Sequence, residues 1–169
     1  MADITEIRHR IKSIQDTHQI TKPMELISVS KMSKSMAKQS FSSAYFDSVR
    51  YTLKDIMRHS SDIRNRYVQH RPHDRTAYVV IAGDKGLAGA FNNNVLGLAW
   101  KHMQTRPLHY VVTIGQMARA FFESKQQSVD LEFTQAVSNP TLHDARGIMR
   151  DILDLYDRNL MDEIYIVFT

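Results

Sequence analysis

Cysteine is missing from all 169 residues. Its absence removes disulfides, thiolate metal centres, iron–sulfur clusters and cysteine nucleophiles together, and it fits a reducing compartment. No run approaches the ~20 apolar residues that a membrane-spanning helix needs. The opening residues Met1-Ala2-Asp3-Ile4-Thr5-Glu6 carry acids and no apolar stretch, unlike a secretory signal. Glycine is missing too, but only from one part of the chain. All 6 glycines (Gly83, Gly86, Gly89, Gly97, Gly115 and Gly147) lie beyond residue 71, and before that point Pro23 is the sole proline. A segment so poor in turn residues reads as helix, from about Asp3 to about Arg66. Some 60 helical residues at ~1.5 Å each run on the order of 90 Å. A 100-residue globule has a radius of gyration of only ~13 Å, so the helix either folds back or projects.

What is present completes the division. With 43% apolar and 24% charged residues the chain can bury a core and is neither disordered nor fibrous. The net charge of +4 is uneven: +6 over residues 1–75 and −2 over residues 76–169. A basic first part and a mildly acidic second part mark two structural regimes, 1–70 and 71–169.

In the first regime Ile4, Ile7, Ile11 and Ile14 recur at 3-4-3 spacing, the a/d pattern of a coiled coil. Past His18 that register turns polar, and Ile20, Met24 and Ile27 take over on a shifted face. Farther on, Phe41, Tyr45, Val49, Leu53, Ile56, Met57 and Ile63 keep helical spacing and read as a packed face. Pro23 should kink or restart the helix near Thr21-Lys22, since an interior proline costs ~3 kcal/mol. Four buried isoleucines contribute ~6–12 kcal/mol as an upper bound, and a lone helix in water is marginal. The seam needs a partner, and no second long amphipathic helix follows in these residues.

The second regime alternates strand and helix. Ala77–Ala82 and Leu108–Ile114 are continuous apolar runs, each closed by a glycine, as buried parallel strands should be. Val129, Leu131 and Phe133 alternate with polar residues and read as a half-exposed edge strand. Ile164–Phe168 reads as a fourth, buried strand. Helices are expected over Asn94–Gln104, Gln116–Ser124 and Thr141–Leu160, the last turning Leu142, Ala145, Ile148, Ile152, Leu155 and Tyr156 inward. The order predicts an α/β fold with a mainly parallel sheet and right-handed crossovers. Because domains seldom stop flush with a buried strand, the expectation is a piece of a longer protein.

Few residues invite chemistry. Gly83-Asp84-Lys85-Gly86-Leu87-Ala88-Gly89 follows a strand and precedes a helix, where phosphates bind. Its G-x-x-G-x-x-G spacing matches neither the dinucleotide fingerprint nor the P-loop, and a tight turn with Asn92 near a helix N-cap is the plainer reading. His70, His73 and Asp74 are too sparse for a metal site. Asp144, Asp151, Asp154 and Asp157 read as a solvated helix face. No nucleophile–base pair can be named, so no catalytic, cofactor-binding or metal-binding residue is assigned. Arg50, Lys54, Arg58, Arg64, Arg66, Arg71 and Arg75, interleaved with Tyr51 and Tyr67, allow contact with RNA but carry no recognition motif.

The helix text Glu6-Ile7-Arg8-x-Arg10-Ile11-x-Ser13-Ile14-x-x-Thr17-x-Gln19-Ile20-Thr21-Lys22-x-Met24-Glu25, continued by Lys31-Met32, resembles the N-terminal signature of F-type ATP synthase gamma subunits. Gly83 to Asn92 is similar to that family's "DRGLCGG.N" segment, and Asn139-Pro140 and Asp162–Val167 fall where the family has them. The resemblance implies a Rossmann-like three-layer domain beside one half of an antiparallel coiled-coil shaft. It also implies a non-catalytic rotor turning inside a ring of alpha and beta subunits, touching epsilon and the membrane-sector c-ring, and no cofactor. Such a complex sits peripherally on the cytoplasmic face of a bacterial inner membrane or its organellar equivalent. Ile20, Thr21, Lys22, Met24, Glu25 and Lys31 become expected shaft and ring contacts, joining the seam residues Ile7, Ile11 and Ile14. The isolated chain is expected to self-associate through this helix. Pro23 replaces the family's usual alanine, Ala88 and Ala90 replace commoner loop residues, and the long C-terminal helix has no counterpart here. The rival readings are a nucleotide-binding α/β enzyme, which the glycine spacing disfavours, and a basic helical nucleic-acid binder.

Overall fold

Without a glycine to break it, the first part of the chain winds into one α-helix, α1 (Ile4–His59), of 56 residues and ~84 Å. A computed structural model describes residues 4–59, 65–68, 71, 74–106, 108–134, 137 and 140–169. The chain divides into two compact units, Met1–Gln69 and His70–Thr169.

α1 does not restart at Pro23. The proline removes one rung of the ladder, and hydroxyls on either side bond back to helix carbonyls: Thr17 to Ser13 at 2.8 Å, Thr21 to His18 at 3.2 Å and Ser28 to Met24 at 2.7 Å. Nor does the helix reach Arg66. The Asn65 side chain accepts the Tyr67 N–H at 2.9 Å and its carbonyl accepts the Val68 N–H at 3.0 Å, a local turn that competes with helix. The expected packed face is corrected as well: Phe41, Tyr45, Val49, Leu53, Ile56 and Met57 are exposed, and no described residue of α1 is buried. Helical spacing marks an apolar face without supplying its cover. Ile63 lies outside the described residues.

The second unit alternates as expected: β1 (Arg75–Ile81), α2 (Phe91–Met103), β2 (Leu108–Ile114), α3 (Gln116–Ser124), β3 (Leu131–Phe133), α4 (Leu142–Asp157) and β4 (Glu163–Val167). All strand pairs are parallel, in the order β3-β2-β1-β4. β1 is central, with Tyr78 level with Val111 on one side and Tyr165 on the other. The pleat sends its side chains alternately to two cores. Tyr78 and Val80 pack with Leu96, Ala99 and Met103 of α2 and with Ala118 and Phe122 of α3. Ala77 and Val79 pack with Ile152 and Tyr156 of α4 and with Met161. The result is a three-layer α/β sandwich.

Three details depart from expectation. Val129 is outside β3: next to it Asp130 closes on Val111, its carboxylate taking the Val111 N–H at 2.7 Å and its own N–H donating to the Val111 carbonyl at 2.9 Å. Among the described residues β4 pairs with β1 alone and Ile166 is 52% exposed, so β4 is half-covered here where its apolar run predicted burial. Leu142 of α4 faces solvent and Ala145, though exposed, lines the groove on the sheet side of α4, while Ile152 and Tyr156 are buried and Ile148 and Leu155 half-buried. α4 meets the sheet through its C-terminal half. Its N-terminal half stands over an apolar groove of about 400 Å³ lined by Val79, Ile81, Ile114 and Ile166.

Candidate functional site

At 100° per residue, a continuous helix decides which candidate residues share a face. Ile7, Ile11 and Ile14 form one row, and Thr21, Lys22 and Glu25 prolong the same side. Ile20, Met24 and Lys31 lie on another, because Ile20 is 13 residues past Ile7 and therefore turned by ~220°. Every one of these side chains is exposed. Exposed apolar rows of this length are uncommon on soluble monomers and mark contact surfaces. Between Leu26 and Phe46 the helix carries Lys31, Lys34 and Lys38 and no acid, so the second row is cationic at mid-length.

The glycine loop is wired from within. The Gly83 N–H donates to the Asn92 side-chain oxygen at 2.8 Å, the Asn92 amide reaches the Lys85 carbonyl at 3.4 Å, and Asn92 is buried. Asn92 therefore holds the loop from inside α2, one residue past its start, while Ala90 is the N-cap. On the neighbouring helix the Gln116 N–H donates to Asp84 at 3.3 Å, and the Met117 N–H to the Gly83 carbonyl at 3.0 Å. A carboxylate of the chain itself thus occupies the position an anionic ligand would take at the start of α3. Gly115, at φ +99°, makes this crossing possible, since a Cβ there would sit 2.1 Å from the Ala82 carbonyl oxygen.

Leu87 was not singled out by sequence reasoning. It is fully exposed and holds a left-handed φ of 61° in the loop. Only the flanking glycines hint at such a turn, since a left-handed φ is uncommon for leucine.

The remaining candidates are structural. Asp144 closes a capping box with Thr141, whose hydroxyl holds its carboxyl below the usual carboxylate range. Asp154 pairs with Arg158 at 3.4 Å. Arg71 is committed to the end of α4 through Tyr156 and Arg75 to the turn before β4 through Asp162, and so both leave the basic stretch. Asp162 is drawn below the ordinary carboxylate range by the Arg75 guanidinium, against a smaller opposing effect of burial. Burial pushes the Tyr78 phenol up; its oxygen lies 2.7 Å from His102 Nδ1. His70 and His73 lie outside the described residues, among which no group of three His, Asp or Glu side chains could hold a metal ion. No described helix is long and apolar enough to cross a membrane.

Residues 3–169 match a family model described as ATP synthase. The gamma chain of Alkaliphilus metalliredigens ATP synthase is 39% identical over 164 residues, 97% of this chain and 57% of that one. Those of Ruminiclostridium cellulolyticum (40% identical, 99% of this chain, 58% of that one) and Acetivibrio thermocellus (38%, 100% and 58%) are similarly related. The chain spans little more than half the length of these relatives.

Proposed function

The chain belongs to the ATP synthase gamma family, and on that premise we propose that it serves as the central-stalk rotor subunit of a proton-translocating F-type ATP synthase. The observation that carries this reading is α1: a 56-residue helix whose apolar rows are exposed from end to end. In this reading residues 1–70 are half of a coiled-coil shaft and residues 71–169 a Rossmann-like domain. Ile7, Ile11 and Ile14 face a partner helix. Ile20, Thr21, Lys22, Met24, Glu25 and Lys31 meet that helix or the ring of alpha and beta subunits, and the α/β unit meets epsilon and the c-ring. The subunit holds no catalytic residue. It biases the ring's sites by presenting each with a different side of an asymmetric shaft. The complex would lie on the cytoplasmic face of a bacterial inner membrane or its organellar equivalent.

Mixing the chain with an alpha–beta ring reconstituted from a relative tests this. The chain should co-elute with the ring and alter its ATP hydrolysis, and Ile20→Asp with Met24→Asp should abolish both effects. Absence of co-elution for the unsubstituted chain refutes the reading.

A further inference from the structure

Two arginines close in sequence are gathered onto the segment that runs from the last turn of α4 to the start of β4. The Arg71 guanidinium sits 3.9 Å from the centroid of the Tyr156 ring, and its Nη1 donates to the Tyr156 carbonyl at 3.0 Å. Arg75 donates through Nε and Nη2 to the two Asp162 carboxylate oxygens at 3.0 and 2.9 Å, and through Nη1 to the Asn159 carbonyl. The Arg75 backbone joins the same junction: its N–H donates to the carboxylate oxygen Asp162 Oδ2 at 3.2 Å and its carbonyl accepts the Asp162 N–H at 2.8 Å. Tyr156 is buried and the Asp162 side chain is 7% exposed, so both grips are on fixed walls. Cations are favoured at the negative end of a helix, and a planar fork that stacks and donates in pairs is what lysine cannot supply.

This junction stands where the chain enters β1, the strand on which both cores are built. Tension arriving from α1 must break the Arg71 stack and the Arg75 fork before it strips Thr76 to Ile81 from their two neighbours. We propose that Arg71 and Arg75 form a mechanical strap that diverts tension from the helical segment into the end of α4 and the turn that follows it, and spares the central strand. The strap uses contacts among residues 71–162 alone and stands whether or not the chain is a rotor.

Because the chain has no cysteine, single introduced cysteines give clean handles for pulling single molecules in optical tweezers. Handles at Arg58→Cys and Lys101→Cys load the strap; handles at Lys101→Cys and Arg150→Cys load the α/β unit and bypass it. In the first geometry the rupture force should fall in the order Arg71, Arg71→Lys, Arg71→Ala, and in the second all three should rupture at the same force. A thermal melt by circular dichroism checks that each variant folds, with Arg71→Lys as the milder change if Arg71→Ala does not. Equal forces in the first geometry, or an equal fall in both, overturn the strap; the latter reduces the arginines to ordinary stabilising contacts.

Discussion

How far along α1 a partner helix must run can be worked out from exposure. Ile4, Ile7, Ile11 and Ile14 are between 47% and 69% exposed on the free helix. Full burial of an isoleucine contributes ~1.5–3 kcal/mol, so covering the exposed part recovers ~1–2 each and ~4–7 for the four. Micromolar affinity corresponds to about −8 kcal/mol, before the cost of immobilising two bodies. The first row alone falls short. Pairing must therefore continue past Pro23 along the same side, onto the exposed Val29, Met32 and Met36, which the continuous helix keeps in line with the first row. Two peptides of the family's C-terminal helix decide the matter, one reaching opposite residue 14 and one reaching opposite residue 36. Titration calorimetry should detect micromolar binding by the longer peptide only, with a matching rise in helicity by circular dichroism. Ile7→Asp with Ile14→Asp should weaken that binding while leaving the α/β unit folded. If the short peptide binds as tightly as the long one, the area reasoning is wrong; if neither binds, the half-shaft assignment is.

Gly115→Ala should destabilise the α/β unit by at least ~2 kcal/mol in urea unfolding, because it combines a positive φ with a Cβ 2.1 Å from the Ala82 carbonyl oxygen. Asp162 titrates below the usual carboxylate range when folded, so its contribution is present above its unfolded pKa and is lost as pH falls through its lower folded value. Acid unfolding of Asp162→Asn followed by fluorescence should be correspondingly less steep across that window; an unchanged profile refutes the assignment. Thr141→Ala removes the hydroxyl of the capping box and should cost ~1 kcal/mol in the same urea assay.

The strands and helices were legible where one physical signal dominated. β2 and α3 have the expected bounds residue for residue, because Gly115 punctuates between a long apolar run and a polar-faced helix. α2 begins at Phe91, three residues before the expected Asn94. Asn92 reads as a cap, but its side chain is spent on Gly83, a partner nine residues upstream that spacing cannot reveal. The isoleucine row was visible as a period. The shift of Ile20 and Met24 to another face was visible in the same way; that the helix runs unbroken through Pro23 was not. Arg75 and Asp162 are separated by 87 residues, and only the placement of β1 beside β4 joins them. Leu87 was illegible for a different reason: its backbone angle is imposed by the loop around it.

The central position of β1 has a consequence for the order in which the protein can form. Its register with β2 joins Arg75 to Leu108, whereas its register with β4 joins Thr76 to Glu163. Loop closure becomes entropically dearer as the intervening chain lengthens, and long-range parallel pairing is slow. On a ribosome the β1–α2–β2 unit can therefore assemble early, while the opposite side of β1 waits for most of the domain to be made. During that interval Ala77 and Val79 present half a core to solvent, the sort of apolar surface that chaperones recognise.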